Sequence, residues 1–182
     1  MKVHPVLPMT LMVLAMSACN ATAMAADVPD AIAAPTGQAL LLQVHAAGSQ
    51  IYQCGQGKGG PEWVFRGPEA ILTDKGGSRV GKHYAGPTWE SNDGSKVVGE
   101  VVASAPAENA QSIPQLLLKA KSHAGAGQLE RVATIQRLDT QGGRAPATPC
   151  GTDELGVEQK VPYSATYYFY GDNPRYGGSP RY

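Results

Sequence analysis

The sequence predicts a mainly β protein, a β-sandwich or barrel of about nine short strands with one covering α-helix at about 112–124. Three observations point there. The 22 glycines and 14 prolines are scattered in turns rather than repeated, as punctuation between short elements. Residues 161–170 alternate cleanly: Val161, Tyr163, Ala165, Tyr167 and Phe169 share one face, and Ser164, Thr166, Tyr168 and Tyr170 the other. Asn92-Asp93-Gly94-Ser95 is a strong hairpin signal, because Asn, Asp and Gly accept positive φ cheaply.

The elements follow in order. Residues 40–46 read as a strand with Leu42 and Val44 on one face and Gln43 and His45 on the other. Gly48-Ser49 is expected to turn it into a second strand at 50–54. After a Gly-rich loop at 55–61, residues 62–66 alternate with Trp63 and Phe65 sharing a face, and 70–73 form a short strand before Asp74-Lys75-Gly76-Gly77. Residues 80–84 and 88–91 flank a Gly86-Pro87 bend. Residues 96–104 are Val-rich on both faces, which suggests a central strand. Residues 128–138 are a further candidate, and 139–149 a Gly/Pro loop.

The helix rests on spacing. Ser112 and Gln115 can make a capping box with Pro114 in the tolerant first turn. Ile113, Leu116, Leu117 and Ala120 then form one apolar stripe at i, i+3, i+4 and i+7. Lys119, Lys121 and His123 sit where a helix dipole favours positive charge, and Gly125 is a plausible stop.

Residues 1–26 read as a signal peptide. Lys2 precedes an apolar run too short to span a bilayer comfortably, and small residues follow at 21–26. The expected organisation is this leader, a β-rich domain at 27–170 and a flexible tail at 171–182, with the protein secreted or periplasmic. Met16-Ser17-Ala18-Cys19 loosely resembles a lipobox, so lipidation at Cys19 is the alternative. Without Lys2 the chain carries 14 basic against 15 acidic residues. That balance argues against a broad footprint for nucleic acid or anionic lipid, and no second long apolar segment suggests a transmembrane span. Of the three cysteines, Cys54 and Cys150 remain after the leader and are expected to pair in an oxidising compartment.

Candidate chemistry gathers between His83 and Asp93: His83, Tyr84, Trp89, Glu90 and Asp93 lie within a strand, a bend, a strand and a turn. A histidine and a carboxylate can hold a metal or move a proton, but the spacing matches no established ligand motif. In the plainer reading Trp89 fills the core, His83 bonds a backbone carbonyl, Glu90 is solvated and Asp93 makes the turn. His45 could join in space. Glu62, Glu69, Glu90, Glu100 and Asp93 could include a glycosidase pair. Tyr52, Trp63, Tyr84, Trp89, Tyr168 and Tyr170 could form a binding platform or simply pack. Arg66, Arg79, Arg131, Arg137 and Arg144 are dispersed and read as surface. There is no Gly-x-Ser-x-Gly elbow and no Gly-x-Gly-x-x-Gly turn, so neither a nucleophilic serine nor a cofactor is expected.

Several segments together resemble one family. They are residues 48–54, His83-Tyr84-Ala85-Gly86-Pro87-Thr88-Trp89-Glu90 with Asp93-Gly94-Ser95, 113–118, 135–143 and Val161-Pro162-Tyr163-Ser164-Ala165-Thr166-Tyr167. In this order they resemble the DUF3455 family of exported proteins, over roughly residues 28–170. Gln115 departs from the Trp often found there. The resemblance implies export and names no activity. The expected function is therefore a non-catalytic binding or structural envelope protein, its partner a small molecule or carbohydrate. A ligand would be met by His83, Tyr84, Trp89, Glu90 and Asp93. The alternative is a secreted hydrolase or metal-dependent enzyme using His83 with Glu90 or Asp93.

Overall fold

A computed structural model describes residues 28–172. They form eight antiparallel strands: β1 (Gln38–Gly57), β2 (Gly60–Thr73), β3 (Arg79–Tyr84), β4 (Thr88–Ser91), β5 (Lys96–Ala105), β6 (Gln115–Ala124), β7 (Thr134–Gly142) and β8 (Glu158–Asp172). Each strand pairs with the next, and β8 returns to β1, closing a barrel. The closing ladder runs from Gln38↔Asp172 to Gln53↔Glu158. Among the described residues no strand edge of the barrel is left open, so the ladder satisfies backbone groups that an open sheet would expose.

The mainly β reading holds, with fewer and longer strands than expected. Gly48 is not a turn; β1 passes straight through it. A Cβ there would overlap the carbonyl oxygen of Glu69 and the backbone of Ala70 on β2, so glycine permits the close approach of the two strands. Residues 62–66 and 70–73 are likewise one strand, β2, with a register shift where Ile51 pairs Gly67 and Tyr52 pairs Phe65. This bulge sharpens the bend of the wall. The strand expected from 128 starts only at Thr134. Gly171 and Asp172, expected in the tail, pair with Ala39 and Gln38. The leader, Cys19 and the tail from 173 lie outside the described residues.

The helix at 112–124 is corrected outright: these residues are β6 and the segment entering it. The same letters also carry a period of two. Leu118 is buried in the barrel core with Leu116 and Ala120 packed around it, while Lys119 and Lys121 face water. Leu117 points outward, against Ile32 of the short 3-10 turn Asp30–Ile32. As a strand, the segment completes ladders to both β5 and β7. At about 0.5–1.5 kcal/mol per net hydrogen bond, two otherwise unpaired edges outweigh a four-residue helical stripe.

The two ends of the barrel differ. The turns at 92–95 and 125–133 close one end, where Leu129 and Val132 tuck into the core. At the other end the β1–β2 ribbon rises past the short β3 and β4, and the 143–157 loop is clamped to it by the Cys54–Cys150 disulfide, with a sequence separation of 96. Trp63 Nε1 donates to Thr148 O of that loop at 3.1 Å.

Gly48→Ala is expected to lose about 1–3 kcal/mol in urea unfolding, by overpacking against β2. Gly59→Ala, with open space around its Cβ position, stays within about 0.5 kcal/mol of the parent. Replacing both cysteines by serine releases a long loop and is expected to cost about 2–5 kcal/mol in the same assay.

Candidate functional site

Alternation along each strand decides which candidate residues can meet. On β3 and β4 the register pairs His83 with Trp89 and Lys82 with Glu90. The first pair points into the barrel and the second out of it. His83 and Trp89 are 2% and 1% exposed. Their rings stack at 4.4 Å with an interplanar angle of 11°. Tyr167 of β8 meets both edge-on, at 5.1 and 5.2 Å, and Phe169 meets Trp89 at 5.9 Å. On β5, Gly99 makes room for the indole: a Cβ there would lie 2.9 Å from Trp89 Cζ3.

These rings floor a cavity of about 350 Å³ that opens at the ribbon end of the barrel. Its body is lined by Gln50, Tyr52, Leu116, Leu118 and Arg137 as well as the floor, and its rim by Phe65, Arg66, Pro87, Val101 and Pro114. No aspartate or glutamate lines it among the described residues. Gln50 Nε2, Trp89 Nε1 and the Tyr167 hydroxyl are buried without a hydrogen-bond partner among the described residues. So is the Tyr163 hydroxyl, on the same face of β8 with Ala165 between it and Tyr167. Such atoms cost roughly 1–3 kcal/mol each when left unmet, and native interiors hold few of them.

The protonation states follow from burial. Desolvation pushes His83 down to about 3, against the opposing pull of its bond to Thr88. The ring is therefore neutral at physiological pH. Nδ1 lies 2.8 Å from Thr88 O, and since a carbonyl only accepts, Nδ1 carries the proton and Nε2 is bare. Desolvation also raises the hydroxyls of Tyr167 and Tyr52, while Arg137 opposes the rise in both.

Tyr84 and Glu90, expected beside His83 and Trp89, stand on the outer wall. Glu90 accepts from the Tyr84 hydroxyl at 2.9 Å and pairs with Lys82 at 3.3 Å and Lys96 at 3.2 Å. The Tyr84 bond, helped by the lysines, holds its carboxyl below the ordinary value. Asp93 sits at the closed end. It accepts from Ser95 N at 2.9 Å, Ser95 Oγ at 2.6 Å and Gln128 N at 2.8 Å, and Ser95 Oγ accepts from Leu129 N at 3.2 Å. These bonds hold its carboxyl well below the usual range and latch the Leu129 plug. The barrel wall thus separates His83 from Glu90, and Asp93 is engaged elsewhere. His45 faces outward and does not join them.

The other expected groupings divide in the same way. Glu69 and Glu100 pair with Lys160 and Lys119 on the outer wall. Tyr52 and Trp89 face the cavity, while Tyr168 and Tyr170 face out, bonding Gln43 and Gln136. Arg137, read as surface, faces in. Its place was visible in the alternation Ile135-Gln136-Arg137-Leu138, once β7 is known to wrap a barrel.

A closed antiparallel barrel with an apolar, open-mouthed interior defines the class of the protein. Within it, the family model described as "Protein of unknown function (DUF3455)" matches residues 35–171, and the chain belongs to that family. No curated protein and no solved structure matches it.

His83 gives a pH signature. Its folded value is depressed, so the unfolded chain binds the extra proton. The stability it contributes is complete above about 6.5 and drains as pH falls towards about 3. The expected slope is about 1.4 kcal/mol per pH unit in that window. His83→Asn keeps a donor for Thr88 O and is expected to abolish this component in urea unfolding at a series of pH values; an unchanged slope contradicts the assignment.

Proposed function

We propose that this protein is a non-catalytic binding protein that takes a small, largely apolar molecule into the barrel. One observation carries the reading: a cavity of about 350 Å³, floored by aromatic rings and lined by Gln50, Trp89 and Tyr167, each with a buried polar atom that has no partner among the described residues. The volume falls in the range of small-molecule sites, about 300–1,000 Å³, and the mixture of apolar walls with a few polar groups is typical of them. A carbohydrate is disfavoured, since its many hydroxyls would find few partners on these walls. A hydrolase using His83 is disfavoured too, since the wall divides it from Glu90 and no carboxylate lines the cavity among the described residues.

Action outside the cytoplasm belongs to the same proposal. It is supported by the Cys54–Cys150 disulfide, which an oxidising compartment sustains. No helix among the described residues is long and apolar enough to cross a membrane. The wall is apolar inside, with charged pairs outside, the reverse of a transmembrane barrel.

The uncharged fluorophore N-phenyl-1-naphthylamine tests the reading. Saturable one-to-one binding with enhanced emission is expected. Leu116→Trp, which fills the cavity, should weaken it at least about tenfold, or 1.4 kcal/mol. Ile71→Trp on the outer wall should leave it unchanged. Absence of saturable binding, or equal effects of the two substitutions, contradicts the proposal.

A further inference from the structure

Arg137 is out of character with the cavity it lines. On β7 it pairs with Tyr167 across the ladder to β8, so both side chains point inward. Its Nε and one Nη donate to Pro114 O at 3.1 and 2.8 Å. A guanidinium has five N–H groups, so three are not used by that carbonyl, and its charge is felt by the Tyr167 hydroxyl. Among the described residues it forms no ion pair; the four that occur all involve lysines. A half-buried cation without a counter-charge is costly, and the cost falls when an anion arrives. The charge also reaches the interior: Arg137 perturbs the titration of Tyr52, His83, Tyr163 and Tyr167.

The unmet polar atoms point the same way. Gln50 Nε2 and Trp89 Nε1 can only donate, and the Tyr167 hydroxyl is free to donate. The lining also holds neutral acceptors, His83 Nε2, Gln50 Oε1 and the tyrosine oxygens, but the formal charge it carries among the described residues is positive. Its chemical complement is a group that accepts hydrogen bonds and is negative. Arg66 adds a second cation at the rim, with Nε and Nη2 bonded to Gln53 Oε1 at 3.1 and 2.8 Å. The planar match of guanidinium to carboxylate makes that the favoured anion.

We propose that the ligand is a small apolar carboxylic acid, its ring or chain lying on the His83–Trp89 floor and its carboxylate meeting Arg137 and the Tyr167 hydroxyl. This rests on the binding reading above and adds the ligand's chemical class. The modest volume selects an aromatic or medium-chain acid over a long-chain lipid.

Calorimetric titration at neutral pH with two matched pairs tests it: naphthalene-2-carboxylate against naphthalene-2-carboxamide, and decanoate against decanamide. The wild-type protein should bind at least one acid about tenfold more tightly than its amide. Arg137→Met should remove that preference by weakening the acid about tenfold more than the amide, and Arg137→Lys should retain part of it. Arg137 also holds the Pro114 carbonyl, so a purely structural role would weaken acid and amide alike, which overturns the proposal. Equal binding of acid and amide to the wild type overturns it with no variant needed. So does failure of both acids while N-phenyl-1-naphthylamine still binds, and in either case the cavity reading survives. Failure of every probe, the uncharged fluorophore included, overturns both.

Discussion

The pairing of β1 with β8 is the constraint on which the rest depends. It joins the two ends of the described chain along a ladder from Gln38↔Asp172 to Gln53↔Glu158. Closure gives every strand two neighbours, and it turns one face of every strand into an interior. Once the interior exists, the period-two pattern sorts each residue to one side of a wall, and adjacent residues in sequence are divided by it. The chemistry of the cavity is a consequence of that sorting.

The interior is filled unevenly. Towards the closed end, Leu129 and Val132 plug the barrel, and Asp93 holds the plug through backbone and Ser95 bonds. Towards the ribbon end, β3 and β4 are short, and Trp89, seated against Gly99, forms a floor with His83 and Tyr167. Above that floor the side chains stop short of filling the space. A barrel of eight strands is just wide enough to be packed solid or to hold one small ligand, and here Trp89, Tyr167 and Phe169 pack together at and below the floor. The disulfide pins the 143–157 loop beside the mouth, where Tyr52 bonds Gly143 O at 2.8 Å.

Much of this architecture was legible in the residues. The alternation of 161–170 correctly put Tyr167 and Phe169 on the buried face, and the Asn92–Ser95 hairpin and the cysteine pair were explicit. The segment 112–124 was misread because Leu116, Leu117, Leu118 and Ala120 satisfy two periods at once. Only the ladders to β5 and β7 choose between them. Gly48 looked like a turn because a glycine needed for close strand approach carries the same letter as one needed for positive φ. For the site, the plainer reading of residues 83–93 matches the contacts of Trp89, which is buried, and His83, which bonds Thr88 O, but not of Glu90, read as solvated and in fact held by Tyr84, Lys82 and Lys96. Five candidates close in sequence were divided by the wall. Arg137, Gln50 and Leu116 are distant in sequence; the alternation of 135–138 gives the side of Arg137 once the barrel is known, and nothing local marks the other two. Their convergence is a property of closure and register.

The central claim is that the space above the His83–Trp89 floor is the binding site. The protein has two tryptophans: Trp89 on that floor, with its indole N–H unpaired, and Trp63 on the outer ribbon, bonded to Thr148 O. A titration of the 15N-labelled protein with decanoate, followed through the two indole N–H resonances, distinguishes them directly. The account predicts a saturable shift of the Trp89 resonance with that of Trp63 unmoved. Movement of Trp63 alone, or saturable binding that leaves Trp89 unmoved, would contradict it.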